Sequence, residues 1–219
     1  MEAETKVKIS KISSKIAINF LINKHYSGRK PQIKYAFGLY ENEEIKAVIT
    51  YGIPASRSLC VGILGDEYYD KVIELNRLCR TEDCNTNMSY FLGFTLRELK
   101  KLNLLIVSYA DTGMSHFGFI YQATNFIYTG ITKERTDKYT PNNKHSRHYT
   151  EEFNHLRKVR TAKYRYVYFA CDKRVKKQYL KNLKYKIQEY PKGEMRYYKL
   201  GDFQKQTIIN KLTGESYLE

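Results

Sequence analysis

The run LLIVSYAD, residues 104–111, is apolar until its last residue, the acid Asp111. A continuous apolar run bounded by turn residues is typical of a strand that is covered on both faces. Burial at the end of such a strand disfavours the charged form of a carboxylate and raises its pKa, which suits a general base. Asp111 is therefore a candidate catalytic residue. The alternative is that its side chain caps the following turn, TGMS.

A second group of candidates is the sequence His-Tyr-Ser at residues 25–27, which follows an apolar segment. A histidine flanked by hydroxyl groups could position a base, a donor or a metal, although a lone histidine is more often structural. His25, Asp111 and Tyr121 have the ligand types that a ferrous ion accepts, but no pair of ligands at i and i+4 supports that site. Tyr121 is otherwise either a general acid or a core residue.

Arg77 is the third candidate, since it interrupts the apolar run VIELNRL at residues 72–78. Burying an arginine is costly unless its charge is paired. We therefore expect Arg77 to meet Asp111, Glu74 or an anion of the substrate.

The elements that must position these side chains follow from the hydrophobic pattern and the turn signals. Residues 52–66 contain Pro, Gly and Ser and are expected to form a connection. The predicted elements are a strand and a helix within 6–24 with Ser13 or Ser14 as the N-cap, a β-hairpin around the turn ENEE at 41–44, a strand at 71–80, a helix that begins near Thr86 or Asn87, a strand at 103–111, a helix within 116–125 and a strand at 126–132.

From residue 132 the chain becomes polar and basic. Residues 131–219 carry 22 basic and 10 acidic side chains, which is 12 of the net charge of +15. A field of this size attracts polyanions such as nucleic acid or an anionic membrane face. One strand at 164–170 and a basic helix after it are predicted here. We expect a core at 1–131 and a basic C-terminal region at 132–219 that completes the sheet, within one structural domain.

Several basic side chains are candidates for contact with the phosphates of a nucleic acid, and for each the alternative is a solvated charged surface. They are Arg29, Lys30, Lys144, Arg147, Lys173, Arg174, Lys176 and Lys177. The 21 tyrosines, interleaved with Lys and Arg, also suit a surface that stacks on bases.

The sequence lacks the long apolar run of a transmembrane segment and the apolar core of a signal peptide. The four cysteines match neither the spacing of a zinc site nor a disulfide framework. We therefore expect a cytoplasmic protein with reduced cysteines and no membrane partner.

The order of predicted elements is similar to that of the GNAT-like acyltransferase fold, an α/β class with a mixed central sheet flanked by helices. In that fold two parallel strands splay apart around the acyl donor, and here they would be ELNRL and LIVSYAD. A glycine-rich turn before the next helix usually binds the pyrophosphate of coenzyme A. The corresponding segment here, TEDCNTNMSYFLG, has two acids and no such turn. We therefore do not expect acetyl-CoA as the donor.

Seven motifs, in order, resemble the Mom family of phage DNA adenine modification proteins. They are HYSGR (25–29), ELNRL (74–78), SYAD (108–111), GFIYQATNFIYTG (118–130), KHSR (144–147), YRYVYF (164–169) and YPKG (190–193). The resemblance implies a GNAT-like fold and transfer of a carbamoylmethyl group to N6 of adenine, which shields phage DNA from restriction enzymes. It also implies double-stranded DNA as a partner and the host cytoplasm as the location. The oligomeric state stays open, with a homodimer among the alternatives.

The resemblance also assigns roles to residues of this chain. The catalytic candidates are His25, Arg77, Ser108, Asp111 and Tyr121. Tyr26 and Ser27 are candidates for binding the substrate or the donor on the same ground, and Asn76 and Asn87 are further candidates that the resemblance does not itself assign. Adenine N6 is a poor nucleophile because its lone pair is delocalised into the ring, so a base must take its proton. Asp111 is the first candidate for that base.

The transferred unit has the skeleton of glycinamide, which leads to the hypothesis that glycyl-tRNA is the donor. A basic C-terminal region and the missing coenzyme A turn both agree with a donor of nucleic-acid size. Two alternatives stay open: an acetyl-CoA-dependent N-acetyltransferase, and a non-catalytic accessory protein that binds nucleic acid.

Overall fold

The computed structural model of the protein describes residues 5–141, 146–194, 196 and 206–219. The helices in these ranges are α1 (Ser14–Lys24), α2 (Arg57–Leu64), α3 (Met88–Leu99), α4 (Phe119–Ala123) and α5 (Lys173–Asn182). The strands are β1 (Val7–Lys11), β2 (Tyr35–Glu41), β3 (Glu44–Gly52), β4 (Val72–Arg80), β5 (Leu104–Asp111), β6 (Ile127–Ile131), β7 (Arg135–Lys138), β8 (Leu156–Arg160), β9 (Lys163–Ala170), β10 (Thr207–Asn210) and β11 (Ser216–Leu218). None of the helices in the described ranges is both long and apolar enough to span a membrane.

Seven strands form a mixed sheet in the order β1-β2-β3-β4-β5-β9-β6. Helix α3 covers one face over the largest apolar cluster, while α1, α2 and α5 cover the other face. The strand β4 contributes to both faces, because Ile73 lies in the first cluster and Val72 in the second. The predicted mixed sheet flanked by helices is confirmed.

The local signals read from the sequence are confirmed at three places. Ser13 caps α1, where its hydroxyl accepts a hydrogen bond from the Ile16 amide. Asn87 caps α3 in the same way. Strands β2 and β3 form the predicted hairpin around Asn42 and Glu43, which both have positive φ angles, as two-residue hairpin turns require.

One expectation about the elements was wrong. Residues 52–66 were expected to form a connection, but α2 lies within them, because Cys60, Ile63 and Leu64 pack into the core on one side of that helix. The helix expected within 116–125 is present and short, at Phe119–Ala123.

The basic C-terminal region contributes more than the one strand predicted for it. Strand β9 does not lie at an edge but is inserted between β5 and β6. Four short strands form a second sheet in the order β11-β10-β8-β7. The sequences of β7 and β8 are too charged to show a strand pattern, and β10 and β11 have only four and three residues, so these strands are defined by their pairing rather than by apolar alternation.

The one parallel pair in the large sheet is β4 with β5, and it is short. It joins Val72 to Leu105, Ile73 to Ile106 and Glu74 to Val107, and the pairing stops there. Beyond this point β4 stays paired with β3, and β5 stays paired with β9 along its whole length. The two strands therefore diverge as predicted, and we call the gap between residues 75–80 and 108–111 the fork.

A buried carboxylate fixes the start of α3 to the hairpin. Glu41, at the end of β2, is 4% exposed and accepts hydrogen bonds from the Asn85 amide at 3.0 Å and from the amide and the hydroxyl of Thr86 at 2.7 and 2.5 Å. Burial raises the pKa of Glu41, but these hydrogen bonds outweigh it and hold the pKa below its ordinary value. The loop before α3 is therefore closed around a carboxylate of the protein itself.

Replacing Glu41 by Ala should lower the free energy of unfolding by about 1–3 kcal/mol, because the amide donors of Asn85 and Thr86 lose their partner. The folded-state pKa is depressed, so the contribution of the charge is present above the unfolded pKa of about 4.3 and is lost as the pH falls through the folded pKa. The measurement is urea denaturation of the wild type and the variant from pH 7 to pH 3. Glu189→Ala, at an exposed position, is the control. Equal destabilisation by the two variants at pH 7 would contradict the role given to Glu41.

Candidate active site

The fork places a polar, half-buried cluster inside an otherwise apolar sheet. Ser108 lies just past the last β4–β5 pair, is 1% exposed, and donates a hydrogen bond across the gap to the Leu75 carbonyl at 2.9 Å. This side-chain contact replaces the backbone pairing that has ended. It fixes the width of the fork where the candidate catalytic groups converge.

Glu74 and Arg77 enter the fork from β4 and form a pair of opposite charges in a poorly solvated place. Burial raises the pKa of Glu74, and the charges of Arg77 and Lys163 only partly oppose the rise. Burial also lowers the pKa of Arg77. The guanidinium donates to the Asn76 carbonyl at 2.6 Å, but its buried Nε has no hydrogen-bond partner among the described residues. Among the described residues, Glu74 is near enough for its charge to favour the charged form of Arg77, but the two side chains form no ion pair.

His25 ends α1 and is held as a neutral ring. It is 8% exposed, and burial, reinforced by the nearby charges of Arg77 and His116, lowers its pKa to about 3. Its Nδ1 lies 3.1 Å from the Ser27 amide and 2.9 Å from the Ser27 hydroxyl. Because a backbone amide can only donate, Nδ1 accepts and the proton of the neutral ring lies on Nε2. His25 is thus a hydrogen-bond donor rather than a base at neutral pH.

Two further side chains complete the aromatic wall of the cluster. Tyr26 stacks on His25 with ring centroids 4.4 Å apart, and it contacts His116 edge-on at 6.0 Å. The ring of His116 therefore also contributes to the cluster. It lies on the loop after β5, half-buried, and is close enough to affect the titration of His25.

Tyr121 projects from α4 into the same cluster. Its ring packs against Phe126 and Tyr166 at centroid distances of 5.3 and 5.2 Å, and its hydroxyl interacts with that of Ser108. Burial raises the pKa of Tyr121 to about 12, so the phenol stays protonated at physiological pH. The ring of Tyr121 packs against the core and its hydroxyl reaches the fork, while its role as a general acid stays a prediction.

Asp111 lies at the rim of the cluster rather than at its centre. One carboxylate oxygen accepts hydrogen bonds from the Gly113 amide at 3.1 Å and from the Thr161 hydroxyl at 2.6 Å. The other oxygen forms an ion pair with Lys163 at 3.0 Å. The capping alternative from the sequence is therefore real, because Asp111 caps the turn that begins at Thr112. These contacts satisfy the carboxylate within the protein.

The iron site predicted from His25, Asp111 and Tyr121 has little support in these contacts. Nδ1 of His25 and both oxygens of Asp111 already interact with protein groups. The described part of the chain contains no cluster of three or more His, Cys, Asp or Glu side chains that could hold a metal. The iron stays a prediction, and no step below is derived through it.

The two asparagines assigned to donor binding have structural contacts. Asn76 accepts from the Thr50 hydroxyl at 2.6 Å and donates to the Gln32 carbonyl at 2.7 Å. A side chain at Gly52 would overlap with this Gln32 carbonyl, so only glycine fits there. Asn87 caps α3 through the Ser89 amide. Their roles in binding stay predictions.

The basic residues assigned to nucleic acid divide into two groups. Lys173, Arg174, Lys176 and Lys177 are exposed on α5, which follows the end of β9 that pairs with Leu104, opposite to the fork. Arg29 and Lys30 are exposed on the loop after His25. Lys144 lies outside the described residues, and Arg147 lies in a short turn at Ser146–His148 with its side chain outside the description.

Sequence reasoning missed Glu74 as a site residue in its own right and considered it only as a partner of Arg77. The available signal was its position in the apolar run VIELNRL, where an acid shares a face with Val72. That signal could not show that the β4–β5 pairing would stop at this residue.

The chain is similar to one protein family and to several solved structures. The sequence model of the Mom protein family matches residues 6–192. A search of curated proteins finds no match. Similar solved structures include an N-acetyltransferase from Staphylococcus aureus, with 12% identity, a TM-score of 0.46 and coverage of 75% of this chain and 98% of that chain. Another is the ribosomal-protein-S18-alanine N-acetyltransferase from Escherichia coli, with 12% identity, a TM-score of 0.46 and coverage of 76% and 96%.

Glu74→Gln should raise the melting temperature at neutral pH. Because the folded-state pKa of Glu74 lies above its unfolded value, the ionised carboxylate costs stability, and that cost grows as the pH rises through the unfolded pKa to the folded one. Removing the charge removes the cost at pH 7 and changes little at pH 4. Thermal unfolding at the two pH values, with the exposed Glu189→Gln as control, checks this. A fall in melting temperature at pH 7 would contradict it.

Proposed function

This chain belongs to the Mom protein family, and on that premise we propose that it is a DNA modification enzyme that transfers a carbamoylmethyl group to N6 of adenine in phage DNA, where the product protects against restriction enzymes. The observation that carries the proposal is the fork, where Glu74, Arg77, Ser108 and Tyr121 converge beside a neutral His25. A carboxylate with a raised pKa, a buried cation and a protonated phenol are the groups that an acyl transfer to a weak nucleophile needs.

Glu74 is our candidate for the base that takes the N6 proton. A base whose pKa is close to 7 transfers protons efficiently at physiological pH, and burial raises the pKa of Glu74 in that direction. The oxygens of Asp111, by contrast, already hold Lys163, Thr161 and Gly113. We assign Asp111 as a positioning residue, which fixes Lys163 near Glu74.

Arg77 and Tyr121 are suited to stabilise the oxygen that becomes negative as the acyl carbon is attacked. The guanidinium has a buried Nε that lacks a protein partner among the described residues. The phenol of Tyr121 keeps its proton because burial raises its pKa to about 12. Preorganised donors of this kind are worth most where water is excluded.

The loop before α3 supports a donor other than coenzyme A. In a GNAT-like fold the amides there would bind a pyrophosphate, but those of Asn85 and Thr86 donate to the buried carboxylate of Glu41. A second anion at this place would be repelled by that charge. Glycyl-tRNA, an activated ester without a pyrophosphate, is consistent with this arrangement.

The chemistry with glycyl-tRNA balances in two steps. In the first, N6 attacks the ester carbonyl, the bond to the terminal ribose oxygen breaks, and the proton that N6 loses passes through Glu74 to that oxygen. In the second, the free amine of the N6-glycyl group attacks ring C6 and the original C6–N6 bond breaks. The glycine nitrogen is then attached to the ring, and the original N6 becomes the carboxamide of the carbamoylmethyl group.

Cells that express the wild-type chain should contain DNA with carbamoylmethyladenine, and Glu74→Gln should lower its rate of formation by about 10²–10⁴-fold, the usual contribution of a general base. Asp111→Asn should lower it less, because that residue acts through Lys163. Mass spectrometry of the nucleosides of digested DNA measures the product, with Glu189→Gln as control. A wild-type chain that leaves DNA unmodified would overturn the proposed function, and full activity of Glu74→Gln would overturn the role of the base.

Glycyl-tRNA with ¹⁵N in its glycine should label the nitrogen attached to ring C6 and leave the carboxamide nitrogen unlabelled. Purified protein, duplex DNA and the labelled donor are incubated, and fragment masses of the modified nucleoside locate the label. Label in the carboxamide would contradict the rearrangement, and product formed only with acetyl-CoA or another small donor would exclude glycyl-tRNA. In the same preparation, acetyl-CoA should not shift the melting temperature.

A further inference from the structure

A cationic pocket lies between the loop after His25 and the second sheet. Its lining contains four basic side chains, Arg29, Lys138, Lys158 and Arg160, and one acid, Asp137. Hydroxyl side chains of Thr140 and Ser146 complete the lining. Its charge therefore suits an anionic group.

The second sheet holds these cations in place through its register. Leu156, Lys158 and Arg160 alternate along β8 and share one face, which they also share with Ile208 because Ile208 pairs with Lys158. Leu156 and Ile208 lie in the small apolar cluster of that sheet. The same face is therefore an apolar core at one end and a cationic surface at the other.

Within the pocket the positive charges are only partly balanced. Asp137 forms an ion pair with Arg160 at 3.0 Å. The ammonium of the half-buried Lys158 forms neither a hydrogen bond nor an ion pair with the described residues, although Asp137 and Glu219 are near enough to affect it. Burial and then the proximity of Arg29 and Arg160 lower the pKa of Lys158. Bringing like charges together costs free energy, and a bound anion would reduce that cost.

Arg29 connects this pocket to the fork. It is close enough to Lys158 to lower the pKa of that lysine, and close enough to Arg77 to lower the pKa of the guanidinium in the fork. A ligand whose anionic group lies among Arg29, Lys158 and Arg160 would therefore have its neighbouring part on the side of the loop that leads to His25, four residues before Arg29. A nucleic acid with a reactive group next to a phosphate has this form.

We propose that Arg29, Lys138, Lys158 and Arg160 form a binding site for a backbone phosphodiester of a nucleic acid, which positions the reacting nucleotide at the fork. This inference rests on the proposed function for the class of its ligand. Both the DNA that is modified and the tRNA that donates carry this group, so the shared chemistry is a phosphodiester. The exposed cations of α5 would then contribute only more distant, non-specific attraction.

The test is equilibrium binding to a fluorescent DNA duplex and, separately, to uncharged tRNA over a range of salt concentrations, in the absence of any transfer reaction. Arg29→Gln/Lys158→Gln should weaken binding and lower the slope of log Kobs against log salt by about 2, since each phosphate contact accounts for about 1. Lys8→Gln/Lys15→Gln removes the same charge from exposed positions on β1 and α1 and should change the slope by less than half as much. Lys158→Arg, which keeps the charge, should keep the affinity.

The ligand that loses affinity identifies the source of the phosphodiester. Weaker binding of duplex DNA places the substrate in the pocket, weaker binding of tRNA places the donor there, and weaker binding of both means that they share it. Equal affinities and slopes for the pocket variant and the surface control, on both ligands and with unchanged melting curves, would overturn the proposal. This experiment measures binding and no transfer reaction. Weaker binding by the pocket variant would therefore support the phosphodiester site even if the wild-type chain left DNA unmodified.

Discussion

The parting of β4 and β5 after Glu74 and Val107 is the constraint on which the rest of the site depends. Parallel strands in the middle of a sheet are normally paired along their length, so this gap brings polar groups into a region with little solvent. Ser108 partly compensates by donating to the Leu75 carbonyl across the gap. The charges of Glu74 and Arg77, both on β4, remain in this region, and burial shifts the pKa of each toward its neutral form. The desolvation that lowers the stability of the protein also shifts the pKa values of these groups, which can make them reactive in an enzyme.

Two glutamates on this sheet show that the surroundings of a side chain, rather than its residue type alone, decide its chemistry. Glu41 accepts hydrogen bonds from Asn85 and Thr86, which hold its pKa below its ordinary value. Glu74 meets charges but no such set of donors, and burial dominates, so its pKa rises. The first is a structural tie between the hairpin and the loop before α3. The second is a group able to exchange a proton.

The basic C-terminal region has two structural roles, which cannot be told apart from its amino-acid composition. Strand β9 is inserted beside β5 and brings Lys163 to Asp111, so the region completes the sheet that carries the fork. The second sheet brings Lys158 and Arg160 together with Arg29, from a loop more than a hundred residues earlier in the chain. The sequence shows only an excess of basic residues. The fold brings several of them together at one pocket next to the fork.

The sequence by itself determined the elements with strong periodicity and the caps of α1 and α3, because those depend on neighbours within a few residues. It also determined most of the fork cluster, including His25, Arg77, Ser108 and Tyr121, through the ordered motifs of the family. Helix α2 and the charged strands of the second sheet were beyond it, since packing and pairing with distant segments stabilise them against their local propensity. Only the tertiary structure decided that Asp111 is satisfied by Lys163 and Thr161 while Glu74 is not. The pKa of a carboxylate depends on its burial and on the donors that reach it, and both are set by residues far away in the chain.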